Sequence, residues 1–167
     1  MPEPLKVRNR ARLREKDAER LAQELEAMLG VAPWPPGTHL DKAESQLGEV
    51  LVSKGRVLAF FLPAEQGGKV APTVRLLLEC KPTLSYVTVD MGAVKFVNNG
   101  ADIMGPGIVE ADPALVEGGV CWVRDERNKR PLAIGQALVT GAAMPKQPGK
   151  KVRNLQRVGD ELWEWEA

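Results

Sequence analysis

Little in this chain suits catalysis or metal binding. Its 167 residues include one histidine, two cysteines and eight aromatics, counted as four Trp, one Tyr and three Phe. His39 has no nucleophile paired with it in the sequence, so a histidine-based triad has no support, and a catalytic reading ranks last. Cys80 and Cys121 show neither C-x-x-C spacing nor a nearby histidine pair. That removes a zinc site and leaves two buried free thiols as the expectation. A disulfide would need an oxidising compartment or a hyperthermophile cytoplasm. No apolar run reaches the ~18 residues of a membrane span. The basic start has no apolar stretch behind it, so the expected location is the cytoplasm. Gly100 to Gly105 has the outer glycine spacing of a P-loop, but Pro106 stands where the lysine must be. No G-x-G-x-x-G follows a strand. Neither a cofactor, nor a metal, nor a small-molecule substrate is expected.

The chain also lacks a strong net charge, at +1, yet its charge is segregated. Residues 1–16 carry Lys6, Arg8, Arg10, Arg12, Arg14 and Lys16 against Glu3 and Glu15. Residues 145–158 carry Lys146, Lys150, Lys151, Arg153 and Arg157 with no acid. Residues 82–120 are acidic, with Lys95 against Asp90, Asp102, Glu110, Asp112 and Glu117. Two basic ends of this kind are candidate footprints for phosphate.

Hydrophobic content of 44% supports a real core, and the pattern divides near Lys81-Pro82. Before it, Ala18, Leu21, Ala22, Leu25, Met28 and Leu29 form a helical stripe that Gly30 and Pro33 end. Trp34, among the prolines, reads as a packing anchor. Val50 to Leu62 reads as a hairpin turning at Lys54-Gly55. Pro72 suits a first helical turn, with Val74 to Leu78 as a short apolar helix. After the boundary come short β-segments at Tyr86–Val89, Gly107–Val109, Val120–Arg124, Leu132–Leu138, Lys151–Leu155 and Glu161–Trp165. Such spacing predicts a small barrel or sandwich. The expected organisation is therefore an α+β unit over 1–82 and a mainly β barrel with short helices over 83–167.

Val87 to Ile108, VTVDMGAVKFVNNGADIMGPGI, is the most informative segment. It reads as strand, helix and glycine-rich loop. Asp90 can cap the helix start, Phe96 joins its apolar face, and Gly100 suits its C-terminus. Gly105-Pro106-Gly107 is expected to fix a turn and leave backbone groups open to a visitor. Asp90 and Asp102 read as helix-end residues and not as an acid–base pair. Trp163 and Trp165 fall on one face of the expected last strand. Core packing is the favoured use of the aromatics, and a base-stacking platform on Trp122, Trp163 or Trp165 stays open.

Taken in order, VTVDMGAVKFVNNGADIMGPGIVEAD, then GGVCWVRDERNKRPLAIGQAL with Leu132-Ala133-Ile134-Gly135, then the basic KKVRNLQRVGDELWEW, resemble a PUA domain over residues 86–165. The preceding half is similar to the small α/β pre-PUA domain of archaeal PUA proteins and of the malignant T-cell-amplified sequence and ligatin family. There a basic stretch leads into a helix, here Arg10 to Leu29. Members often have serine at the helix start, where this chain has Arg14. The resemblance implies an α+β N-terminal domain followed by a PUA pseudo-barrel. It also implies an RNA surface near Lys95, Asn98, Gly100, Ala101, Gly105, Pro106 and Gly107. Lys150, Lys151 and Arg153 are expected to neutralise phosphates on an adjoining strand.

The implied function is non-enzymatic binding of structured RNA, tRNA or rRNA. The action would be on tRNA or the small ribosomal subunit in initiation or recycling, with a translation-factor partner in the eukaryotic relatives. Two rivals remain. One is a non-catalytic tRNA-binding accessory subunit of an RNA-modifying enzyme. The other is a protein-interaction module that has lost RNA binding.

Overall fold

The computed structural model describes residues 3–167, so the first two residues of the basic stretch 1–16 lie outside the described residues. The chain forms two compact units. One runs to Pro82 and takes up Gly159–Ala167 again; the other is Thr83–Val158.

The first unit runs β1 (Arg8–Arg12), α1 (Glu15–Leu29), β2 (Asp41–Ser45), β3 (Gly48–Ser53), β4 (Arg56–Phe61), β5 (Val70–Pro72) and α2 (Val74–Cys80). Its strands form one antiparallel sheet in sequential order. Leu21, Leu25 and Leu29 are the buried stripe of α1, each worth about 1.5–3 kcal/mol out of water. Gly30, at φ 80, ends the helix by donating its N–H to Glu26 O. Lys54 and Gly55 both have positive φ, as a two-residue hairpin turn needs, and so join β3 to β4.

Two expectations for this unit are corrected. The helix does not start at Arg10: residues 8–12 form a strand, with Arg12 opposite Asp41 and a bulge between Arg8 and Ala11. RNRAR has no helical apolar stripe, and its cations suit an exposed sheet edge. Pro72 belongs to β5 and not to a helix. It is tolerated there because β5 is an edge strand. Thr73 is fully buried, donates its hydroxyl to Val57 O, and precedes α2.

The second unit runs β6 (Tyr86–Val89), α3 (Met91–Asn98), β7 (Ile103–Met104), β8 (Ile108–Ala111), β9 (Val120–Asp125), β10 (Pro131–Ala137) and β11 (Lys150–Arg157). The sheet order is β7-β11-β10-β9-β6-β8, with β6 and β9 parallel and the other pairs antiparallel. Its two edge strands, β7 and β8, are joined by the single tight turn Gly105–Gly107. The Lys146 N–H donates to both Gly105 O and Ile108 O across that join, so the sheet curls to a nearly closed pseudo-barrel. Val87, Val89, Val97, Ile103, Ile108, Cys121, Val123, Met144 and Val152 are among its core residues. Burial pushes the Cys121 thiol up to about 12 and, in the first unit, the Cys80 thiol up to about 11.

The expected final strand is also corrected. Glu161–Glu164 is a short helix, α4, and it belongs to the first unit, so the barrel ends at Val158 and not at 167. Gly159 at φ 87 turns the chain, and the Asp160 carboxylate caps the helix by accepting from Trp163 N–H at 2.9 Å. Leu162 then packs with Leu5, Ala43, Val50, Val52 and Val57. Trp163 lies under the Arg75 guanidinium, 3.8 Å from its ring centre, and its carbonyl accepts both Arg75 Nε–H and Nη2–H.

Candidate nucleic-acid interface

The site is built on α3 and the strands around it. Asp90 Oδ1 accepts the Ala93 N–H at 2.9 Å, the expected N-cap. At the other end, Gly100 N–H donates to Val97 O and Ala101 N–H to Phe96 O, with Gly100 at φ 89. That is the paired Schellman closure, and it needs a residue at ease in the left-handed region. Asn154 on β11 then ties the helix end to the barrel. Its Nδ2 donates to Val97 O and Ala101 O, while its backbone N–H donates to Asp102 Oδ1 at 2.9 Å. The last bond is available because β11 bulges against β10: Ile134 faces Gln156 but Gly135 faces Asn154.

Two glycines allow the chain to approach itself closely. A Cβ on Gly135 would overlap Val152, and one on Gly105 would overlap the Gln147 carbonyl. Gly105 is buried, its N–H donating to Gly149 O and its carbonyl accepting from Lys146 N–H. The Gly107 carbonyl accepts from Asp90 N–H. The expectation of open backbone groups in Gly105-Pro106-Gly107 is thus corrected. These groups hold the barrel shut and carry the adjoining loop.

The sequence profile of the PUA domain matches residues 85–159, nearly the whole second unit. An uncharacterized protein of Methanocaldococcus jannaschii is 36% identical over 98% of this chain and 100% of its own length. Malignant T-cell-amplified sequence 1 of Rattus norvegicus is 30% identical over 84% of this chain and 81% of its own. This chain belongs to the PUA-domain family.

Translation machinery-associated protein 20 of Schizosaccharomyces pombe is 33% identical over 58% of this chain, a match that takes in 56% of that protein. Among solved structures, a conserved PUA domain protein from Thermoplasma acidophilum superimposes with a TM-score of 0.76 at 27% identity, covering 92% of this chain and 97% of that one.

In the PUA unit the expected site residues divide by surroundings. Lys95, Asn98, Ala101, Pro106, Lys150 and Arg153 are exposed, Gly100, Gly107 and Lys151 are half-buried, and Gly105 is buried. Lys150 is already engaged by Asp102, with Nζ 2.9 Å from Oδ2. Burial pulls the Asp102 carboxyl upward, but the Lys150 and Asn154 hydrogen bonds outweigh it and hold the pKa below the ordinary carboxylate value. The stem of Lys151 passes beside Gly105, where it makes use of the missing side chain. Arg153 adds to the positive field at Asp102. Lys146, in the basic stretch 145–158, lies 3.9 Å from Asp90 and donates from Nζ to Pro106 O.

The aromatics are also redistributed. Trp122 is 2% exposed and donates its indole N–H to Leu84 O, so it is core. Phe96, expected in the core, is 57% exposed, with the Lys95 ammonium 5.1 Å from its ring centre. Val97 takes the inward position, which turns the preceding residue outward by one helical step. Met104 on β7 is likewise exposed. Within one small fold, exposed apolar surface adjoins exposed cations. This combination suits an unpaired base and its phosphate.

Among the described residues no group of three His, Cys, Asp or Glu is gathered as a metal site would require. No helix among them is long and apolar enough to cross a membrane.

Proposed function

We propose that this chain is a non-catalytic RNA-binding protein of translation that holds structured RNA, tRNA or small-subunit rRNA, on its PUA unit. The reading rests on one observation above the rest: in the PUA unit the Lys95 ammonium lies 5.1 Å from the centre of the exposed Phe96 ring, and the Lys151 stem passes beside Gly105 in the tight turn. Small residues let a sugar-phosphate backbone approach, the cations neutralise it, and Phe96 offers a face for a base. The similarity to translation machinery-associated protein 20 supports a role in translation. Asp90 and Asp102 favour the non-catalytic reading, since each holds an element of the fold in place.

The test is binding to bulk tRNA, with and without its 3′ CCA end, across a salt series. Binding that requires the end, and is lost in a Lys150→Gln/Lys151→Gln/Arg153→Gln variant, is the expected result for the tRNA form of the reading. Salt-sensitive binding indifferent to the end moves the target to the small ribosomal subunit. No binding at low salt overturns the reading and favours a protein-interaction role.

A further inference from the structure

The basic strand of the first unit takes no part in that site. β1 is the outer strand of its sheet, exposed at every residue. Asp41, on neighbouring β2, accepts from Arg10 Nη2–H and Arg12 Nε–H, each at 2.9 Å. The two guanidiniums beside it hold the Asp41 carboxyl below its ordinary value. One carboxylate therefore orients two guanidinium forks and neutralises only one of them, and most of their five N–H donors each are left over. A cleft of about 510 Å³ opens beside the pair, with Lys54 on its rim. Lys54 is held at φ 50 in the β3–β4 turn, is exposed, and makes no ion pair among the described residues.

A second hollow adjoins the cleft. Arg12, Thr38 and His39 line both it and a groove of about 580 Å³ between α1 and the loop before β2. Leu13, Ala18, Ala22 and Trp34 give the groove an apolar wall, and Glu19 and Glu26 stand along α1. The composite hollow thus has a cationic end and an apolar end edged with carboxylates. A phosphate is attracted to the first and repelled by the second. A nucleobase has an apolar face and, in A, C or G, an exocyclic amine that a carboxylate can accept from.

We propose that this hollow binds one nucleotide of a single-stranded RNA segment, with the phosphate on Arg10, Arg12 and Lys54 and the base in the groove beside Trp34. The proposal rests on the reading of the chain as an RNA binder, but not on the PUA surface. The probe is a mixed-sequence single-stranded RNA of about 20 nucleotides, long enough to cover a site of ordinary size. Full-length protein is titrated with it across a salt series. Arg12→Gln with Lys54→Asn removes two charges, leaves Arg10 on Asp41, and puts at position 54 a residue that tolerates positive φ.

The expected result is a salt slope reduced by up to about 0.7, since the site holds one phosphate and each phosphate contact to a single strand contributes ~0.7. Lys69→Gln, an exposed lysine of the same unit outside the cleft, should leave the slope unchanged. Ala22→Leu, which fills the groove, should weaken binding without changing the slope. An unchanged slope in the double variant overturns the proposal, as does an equal loss per charge in the Lys69 control. Unchanged affinity in Ala22→Leu overturns the placement of the base. If the wild-type chain binds no RNA, the function itself fails. If only the Lys150/Lys151/Arg153 variant loses contacts, the PUA reading stands and this one falls.

Discussion

The two units present positive charge by different means. In the first, cations lie along a sheet edge and are oriented by carboxylates on the next strands: Arg10 and Arg12 by Asp41, Arg8 by Glu44, and Lys42 by Glu49. In the PUA unit, the cations stand where the backbone closes on itself, and glycine makes that closure possible. Gly105 admits the loop leading into β11, and Gly135 admits β11 itself. Charge changes in the first unit should therefore alter binding and spare the fold. Glycine changes in the PUA unit should damage the fold before binding can be asked about.

The largest effect expected from that contrast is Gly105→Ala. The new methyl would overlap backbone and not a flexible side-chain end, so the loop must move. A loss of about 3 kcal/mol or more is expected. Gly118→Ala, at φ 84 with nothing within 4 Å, should cost only the left-handed strain of about 1–2 kcal/mol. Denaturant melts compare the two, and thiol labelling shows where the damage lies. Cys121 in the barrel core should become reactive in Gly105→Ala, while Cys80 in the first unit should label as in the wild type. Faster labelling of Cys80 than in the wild type would erase the distinction between the units, and equal costs for the two glycines would remove close backbone approach as the reason Gly105 matters.

Next in size is Phe96→Ala. Its ring is mostly exposed, so stability should change by less than about 0.5 kcal/mol. If it stacks on a base, RNA affinity should fall about tenfold, the lower part of the ~1–3 kcal/mol range for such contacts. Calorimetric melting and RNA titration on the same variant read both numbers. A stability loss without a binding loss would return Phe96 to a packing role.

What the sequence reveals follows the same division. The barrel strands other than the two-residue β7 are legible because their apolar residues recur between turn signals, and α1 because Leu21, Leu25 and Leu29 repeat at helical spacing. The strands β1 and β2 are not, because RNRAR and DKAES have little apolar alternation and acquire strand character from their partners. The alternation in Glu161–Trp165 resembles a strand, yet the capping Asp160 was the local signal that outweighed it. Phe96 looked like core because VKFV is apolar overall; only helical phase distinguishes Val97, which is buried, from its neighbour. The Arg10–Asp41 and Arg12–Asp41 pairs depend on sheet register between distant segments, which composition does not encode. Charge segregation marks the basic stretch, but not the cleft that Arg10 and Arg12 line.

The smallest effect expected concerns Asp102, the carboxylate that occupies Lys150. Its pKa is lowered in the folded chain. The stabilisation it contributes is therefore complete above the ordinary carboxylate value, about 3.9, and is lost as pH falls through its own lower value. Asp102→Asn keeps an oxygen to accept the Asn154 N–H but has no proton to bind in that range. The variant should lose less stability than the wild type as pH falls below about 4, as measured by acid titration of the melting temperature. At neutral pH the same change releases Lys150 from its ion pair. If that lysine reaches a phosphate, the salt slope for RNA should steepen by at most ~0.9. A slope that does not change would remove Lys150 from the binding surface and leave Lys151 and Arg153 as the cations of β11 that face RNA.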